Sequence, residues 1–247
     1  MKGYIITGAS RGLGLGFARE LMRPGHLLRC VSRSPNPDVL REAEAAGCDA
    51  RWFAADLSRV DELGGLMHDI FATLDPRDAG GLTLINNAGV VDPIGQLHRV
   101  SPEAVVTAVN VNLTAVLLLS LWFARLSSGC RGARTVINIT SGAARHPYQG
   151  MCLYCVTKAG VDMLTRCAAL EESGVRMVAV APGVLDTDMQ RRTRETDAEG
   201  FAERDRYIRL KAEGRLGSPR EAAGRILRVV ADGLTSGSVV DMRDFTI

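Results

Sequence analysis

Tyr154 and Lys158 are the residues of this sequence whose types and spacing could do proton chemistry. Four positions apart, they share one face of a helix, separated by about one turn, or ~6 Å of rise. A free tyrosine has a pKa of roughly 10 and is a poor acid or base at neutral pH. A lysine ammonium within a turn favours the phenolate and lowers that pKa. The pair therefore makes a tunable general acid/base. Tyrosine–lysine pairs also stand on ordinary helix surfaces, so the meaning of this one depends on what the chain builds around it.

The start of the chain builds a phosphate site. Gly3-Tyr4-Ile5-Ile6-Thr7 is a β-branched and aromatic run that predicts a buried strand. Gly8-Ala9-Ser10-Arg11-Gly12-Leu13-Gly14 follows, and Leu15 to Met22 predicts a helix closed by Pro24-Gly25. Glycines let backbone approach a pyrophosphate, and the helix N-terminus supplies free N–H groups and a positive dipole end. The spacing is G-x-x-x-G-x-G rather than the commoner G-x-G-x-x-G.

The second strand, His26 to Val31, ends in Ser32-Arg33-Ser34. At this distance from the glycines NAD-binding chains carry an acid for the ribose 2′-hydroxyl, and NADP-binding chains a nearby arginine. Ser32 stands where the acid would be, Arg33 follows, and Arg11 is a second cation able to reach a 2′-phosphate. The expected cofactor is NADP, as NADPH.

Further strands are predicted at Ala50 to Ala55, Leu82 to Ile85, Arg134 to Ile139, Val175 to Ala181 and Ser238 to Val240. Helices are predicted from Pro35 to Ala46, from a Ser58 cap to Leu74, from Ser101, on to Ser127 after Asn110-Val111-Asn112-Leu113, from Gln149 to Ser173, and from Ser218 to Asp232. Asp56-Leu57-Ser58 ends the third strand, and Asp56 reads equally as a contact for adenine or as a turn residue. Asn86-Asn87-Ala88-Gly89 ends the fourth, where open α/β sheets bind cofactors. Strands alternating with helices predict an α/β fold, a single doubly wound parallel sheet with helices on both faces, over one domain at 1–247. The stretch 186–214 is charged and poor in large apolar residues, and resembles a mobile lid.

Composition excludes several partners. The 247 residues carry 30 basic and 28 acidic side chains, a formal charge of +2, which gives no reason to invoke nucleic acid or a membrane. The longest apolar stretch, Leu113 to Ala124, is too short to span a bilayer. No signal-peptide core precedes the first strand, and the protein reads as soluble and cytoplasmic. Cys152 and Cys155 form a C-x-x-C around Tyr154, but without a partner pair they read as reduced thiols on a helix, and no metal site is expected.

Thr7-Gly8-x-x-x-Gly12-x-Gly14, Asn86-Asn87-Ala88-Gly89, Ser141, Tyr154-x-x-x-Lys158 and Pro182-Gly183 together resemble the motif set of the short-chain dehydrogenase/reductases, in family order and over the whole chain. The tail, Ala181 to Gln190 with Leu210-Lys211-Ala212 and Ser236 to Asp241, resembles the sepiapterin reductase branch and related bacterial benzil-type dicarbonyl reductases. The resemblance implies a Rossmann fold and NADPH-dependent reduction of a small carbonyl substrate, a pterin side chain or a vicinal dicarbonyl, to an alcohol. Tyr154 would protonate the substrate oxygen, and Lys158 would lower its pKa and hold the nicotinamide ribose. Ser141 would hydrogen-bond the substrate carbonyl, and Asn112 rather than Asn110 would place a relay water. Asn87, Ala88 and Gly89 would line the adenosine side, and Thr187 would meet the carboxamide, next to Pro182-Gly183. Asp241 would anchor a pterin's amino-pyrimidine ring, because an acceptor-only carboxylate suits two adjacent N–H donors; alternatively it is a solvated aspartate beside Arg243. The family also implies a homodimer or homotetramer through the helices around 113–126 and 149–172. A dinucleotide-binding sensor without turnover, or a dehydratase or epimerase of the same fold, are the alternative functions.

Overall fold

The computed structural model describes residues 1–171, 173–197 and 200–245. Among them seven parallel strands form one sheet in the order β3-β2-β1-β4-β5-β6-β7. They are β1 (Lys2–Thr7), β2 (His26–Ser32), β3 (Asp49–Ala54), β4 (Gly81–Asn86), β5 (Ala133–Ile139), β6 (Arg176–Ala181) and β7 (Val239–Asp241). The order reverses between β1 and β4, the switch point at which such sheets open a crevice beyond their carboxyl ends. Near-continuous apolar runs such as Ile5-Ile6 and Val178 to Ala181 are buried because helices cover both faces.

One face is covered by α1 (Gly12–Leu21), α2 (Pro37–Ala45) and α9 (Pro219–Ala231), which bury Phe17, Val39 and Ile226 with Ile6, Leu28 and Val180. The other is covered by α3 (Leu63–Phe71) and α5 (Ala115–Leu126), whose Met67, Ile70, Leu119 and Phe123 pack with Leu82 and Val136. Helix α4 (Pro102–Val109), capped by Ser101, runs into α5 through a π turn at Asn110–Thr114. The three pieces make one helical rod, Pro102–Leu126, with the length and hydropathy of a membrane span. This departs from the sequence expectation, which rests on the stretch Leu113 to Ala124 alone, itself interrupted by Thr114 and Ser120. The rod is a core helix: it lays Ala115, Leu119 and Phe123 on the sheet.

Several boundaries differ from those predicted. Helix α6 is Cys152–Ala168, shorter than expected at both ends, and one residue of the expected span, Glu172, lies outside the described residues. At its start, Gly150 takes φ +81, which a helix cannot pass, and a Cβ there would stand 1.9 Å from the Gly200 carbonyl oxygen. Ser58 does not cap α3; its N–H and hydroxyl both donate to Asp56, and a short 3₁₀ turn intervenes. Asp241 is the last residue of β7 rather than lying beyond it. The expected lid folds as two helices, α7 (Asp188–Glu195) and α8 (Arg204–Ala212), and between them Phe201 is fully buried, a core contact in a segment whose charge hid it. Ala198 and Glu199 of that segment lie outside the described residues.

A buried polar ladder locks α5 and α6 to the sheet. Asn86 donates to Ser120 at 3.2 Å and to Asn138 at 2.9 Å, and Asn138 donates to Thr165 at 3.0 Å. All four are buried. Asn138→Ala would leave Asn86 and Thr165 short of partners in a dry site, so we expect it to lower the unfolding free energy by about 1–3 kcal/mol. Urea denaturation measures this, and a loss below about 0.5 kcal/mol would show that the ladder holds nothing.

Candidate active site

The glycine turn leads straight from β1 into α1. A Cβ on Gly14 would stand 2.1 Å from the Gly8 carbonyl oxygen, so only glycine lets the helix close on the turn. The N-cap, Arg11, makes no side-chain cap, which leaves the first-turn N–H groups of α1 facing outward for an anion. Asn87 braces this turn: its side chain donates to the Thr7 carbonyl at 2.9 Å, while its N–H and that of Ala88 donate to the Thr7 hydroxyl, both at 3.0 Å. The uncapped helix start and the glycine cradle fit a dinucleotide pyrophosphate.

At the adenosine end the two predicted cations differ. Arg11 is paired with Asp188 at the start of α7, at 3.2 Å. Arg33 is exposed, and no hydrogen bond or ion pair holds it among the described residues. It lies near enough to Asp56 to help hold that carboxyl below its usual range, although the bonds from Ser58 contribute more. The Ser32 hydroxyl donates to the Ser34 carbonyl at 2.7 Å.

Tyr154 and Lys158 share a face of α6, as their spacing requires. Lys158 is 4% exposed, and its Nζ donates to the Ile139 carbonyl at the end of β5, at 2.8 Å. Nζ also lies 5.7 Å from the Tyr154 ring centre. The π turn brings Asn112 to the same place. Asn112 accepts from the Val90 N–H and donates to the Val90 carbonyl, both at 2.8 Å. A Cβ on Gly89 would stand 3.3 Å from Asn112 Oδ1 and 3.6 Å from Lys158 Nζ, so the two side chains flank that glycine. Asn110 points elsewhere and donates to the Ser58 carbonyl.

The electrostatics differ from the sequence expectation. Burial raises the Tyr154 phenol above its usual pKa, and the Ser141 hydroxyl beside it acts in the opposite direction. Lys158 does not lower it, because its ammonium faces a carbonyl and the ring rather than the phenol oxygen. Lys158 itself is pushed down to about 8 by burial, with Asp162, one turn further along α6, holding it up. The site therefore keeps a protonated phenol at neutral pH, which is the form needed to donate a proton.

Around Tyr154 lies an apolar and aromatic wall. Val91, Met151 and Phe201 are its buried core, with Ile94, Tyr148, Met189 and Tyr207 packed on it. The Tyr154 hydroxyl meets Met189 Sδ at 3.9 Å. Thr187 caps α7 through the Gln190 N–H, and its methyl would lie 3.3 Å from a Cβ on Gly12, so α7 starts against the glycine turn. Beyond Pro182-Gly183, Asp241 is 5% exposed. It accepts from the Arg243 N–H at 3.1 Å, Nε at 2.9 Å and Nη2 at 2.7 Å, and from Arg145 Nη2 at 2.8 Å. The solvated reading of this aspartate is thus excluded. The sequence reading missed Met189, Tyr207, Arg145 and Asp162. Asp162 alone carried a signal, four residues after Lys158 on the same helix face.

The family model described as "short chain dehydrogenase" matches residues 2–198. Benzil reductase ((S)-benzoin forming) of Bacillus cereus is 38% identical over 230 residues, 92% of each chain. Sepiapterin reductase of Meriones unguiculatus is 36% identical over 253 residues, 97% of this chain and 95% of that one. A metagenomic short-chain oxidoreductase solved in complex with NADP superposes with a TM-score of 0.73 at 28% identity, covering 97% of this chain and 95% of that one.

The buried pair should be visible by titration. We expect the Lys158 ammonium to lose its proton as pH rises through about 8, while Tyr154 stays protonated past the ordinary tyrosine range. NMR of ε-labelled lysine, assigned with Lys158→Met, reports the first. Ultraviolet difference spectra against Tyr154→Phe report the second. A lysine midpoint in the ordinary range would show a solvated ammonium.

Proposed function

Since the chain belongs to the short-chain dehydrogenase family, we propose that it is an NADPH-dependent reductase of a vicinal dicarbonyl compound, with Tyr154 as the proton donor. The observation that carries this reading is the neutral Tyr154 phenol set between the Ser141 hydroxyl and the apolar wall, one turn from a buried lysine. The nicotinamide, when bound, supplies the hydride. Everything else falls to this chain's own residues. Ser141 holds the substrate oxygen, and Tyr154 gives it a proton as negative charge develops there. Lys158, whose Nζ stands beside Gly89, would hold the ribose side of the cofactor. Asn112 fixes the backbone at Val90 beside Lys158, and Gly89 keeps that side open.

The state of Asp241 favours the dicarbonyl over a pterin. A carboxylate offers about four lone-pair sites, and the four N–H donors from Arg145 and Arg243 fill them. A pterin ring would have to displace an arginine to be anchored there. A diketone needs no such anchor and fits the aromatic wall. Of the two predicted cations, Arg33 is the one unpaired among the described residues and so available to a 2′-phosphate, and it supports NADPH over NADH. Assembly into a homodimer or homotetramer fits the same reading. Leu117 and Leu121 on α5, and Val156 and Met163 on α6, stand exposed at helical spacing and would be covered by a second copy.

The direct test is NADPH consumption with benzil and with sepiapterin. We expect benzil to be the better substrate, and Tyr154→Phe to retain NADPH binding while losing at least the ~10²-fold of rate typical of a general acid. A higher kcat/KM for sepiapterin would overturn the dicarbonyl assignment, and near wild-type turnover by Tyr154→Phe would remove it from the mechanism.

For the cofactor, Arg33→Ala should raise KM for NADPH by roughly 10- to 100-fold, the worth of a charge-assisted phosphate contact, and leave NADH unchanged. Arg11→Ala should cost less, since Asp188 already holds Arg11. The reverse order would put the phosphate at the α7 side.

A further inference from the structure

Helix α8 is an unusual neighbour for an active site. Its sequence, Arg204 to Ala212, is mostly charged, and none of its residues is fully buried. Half-buried Tyr207 is the side chain it turns into the apolar wall, where its ring lies 5.7 Å from the buried Phe201 ring at 35°. Phe201 thus fixes the entry to α8, and α8 delivers one phenol to the wall that Tyr154 shares.

Three phenols meet there, and two are engaged. Tyr154 faces Ser141 and Met189. Tyr148 stands beside the Arg206 guanidinium and helps hold its charge. The Tyr207 hydroxyl has no hydrogen-bond partner among the described residues. Burial pushes its pKa up to about 12, with Tyr148 and Tyr154 adding to the rise, so it is a neutral donor throughout the working range and lies within electrostatic reach of Tyr154. A half-buried phenol without a partner beside a proton-donating residue is suited to a substrate acceptor atom.

We propose that Tyr207 is a specificity-determining residue whose hydroxyl donates to the second, non-reacting carbonyl oxygen of an aryl-substituted vicinal dicarbonyl. The inference rests on the reductase reading above and narrows its substrate class. The two oxygens of such a substrate then have separate partners: Ser141 and Tyr154 take the one that becomes the alcohol, and Tyr207 takes the one that stays a ketone. Hydride adds to the first carbonyl carbon and the Tyr154 proton to its oxygen, so the product is a 2-hydroxyketone. Half-buried Met189 and Ile94, backed by the buried Phe201 and Val91, supply apolar surface for the aryl groups. Tyr207 does not touch the reacting bond, so its removal should weaken recognition rather than chemistry.

The test pairs Tyr207→Phe, which keeps the ring, with benzil and deoxybenzoin, which carry the same two rings but two carbonyls and one. Tyr207→Phe should keep the wild-type Tm, because the hydroxyl has no hydrogen-bond partner among the described residues. It should lower kcat/KM for benzil roughly tenfold, the order of one lost neutral hydrogen bond, mainly through KM. Deoxybenzoin should be affected less than about twofold. Equal losses on both substrates, or no loss on benzil, would overturn the proposal while leaving the reductase reading intact. A wild-type protein that consumes NADPH with neither ketone would overturn both.

Discussion

A lysine ammonium buried to 4% exposure is the constraint around which this protein is arranged. Taking such a group out of water costs several kcal/mol unless bonds replace its hydration. The groups around it come from different elements. The Ile139 carbonyl is available because β5 ends there. Asn112 arrives because the rod of α4 and α5 widens by one residue into a π turn, a distortion found at functional sites. Gly89 lies between the two because the turn after β4 has no side chain there. The ladder of Asn86, Asn138 and Thr165 then holds β4, β5 and α6 in the register that keeps these groups together.

Burial also reverses the simplest account of the tyrosine–lysine pair. On an exposed helix the lysine would lower the phenol's pKa. Here both groups are moved toward their neutral forms, Tyr154 upward and Lys158 down to about 8. For reduction this is the useful direction, since a phenol that keeps its proton at neutral pH is ready to donate it. Ser141 opposes the rise, so the same hydroxyl that would hold the substrate oxygen also eases the proton's departure.

The layers of the fold were legible because they rest on periodicity and on glycine and proline. Apolar runs marked the strands, and the glycine turn marked the switch from β1 to α1. Tyr154, Lys158, Ser141 and Asn112 were legible because their spacing and order resemble a family pattern. The substrate wall was not. Met189, Phe201 and Tyr207 lie in a stretch whose mean character is charged, and a single aromatic among arginines reads as surface until the fold shows what it touches. Local pattern could not reveal Asn138 either, because a lone polar residue in Val136-Ile137-Asn138-Ile139 has meaning only through Asn86 and Thr165 on other elements.

Asp241 and the buried lysine are joined by alternating charge. Asp162, one turn beyond Lys158, offsets part of the burial cost of the ammonium. Asp162 is itself disfavoured by burial and is held ionised in part by Arg145, 3.9 Å away. Arg145 in turn donates to Asp241, which Arg243 grips from the other side. Five groups thus alternate in sign from Lys158 to Arg243, and each inner member lowers the cost of its neighbours. Asp241 belongs to this chain of charges by its bonding. A neutral residue there would loosen Arg145, leave Asp162 less well held, and reduce the support that keeps Lys158 charged. The Asp241 carboxylate therefore supports the lysine through Arg145 and Asp162.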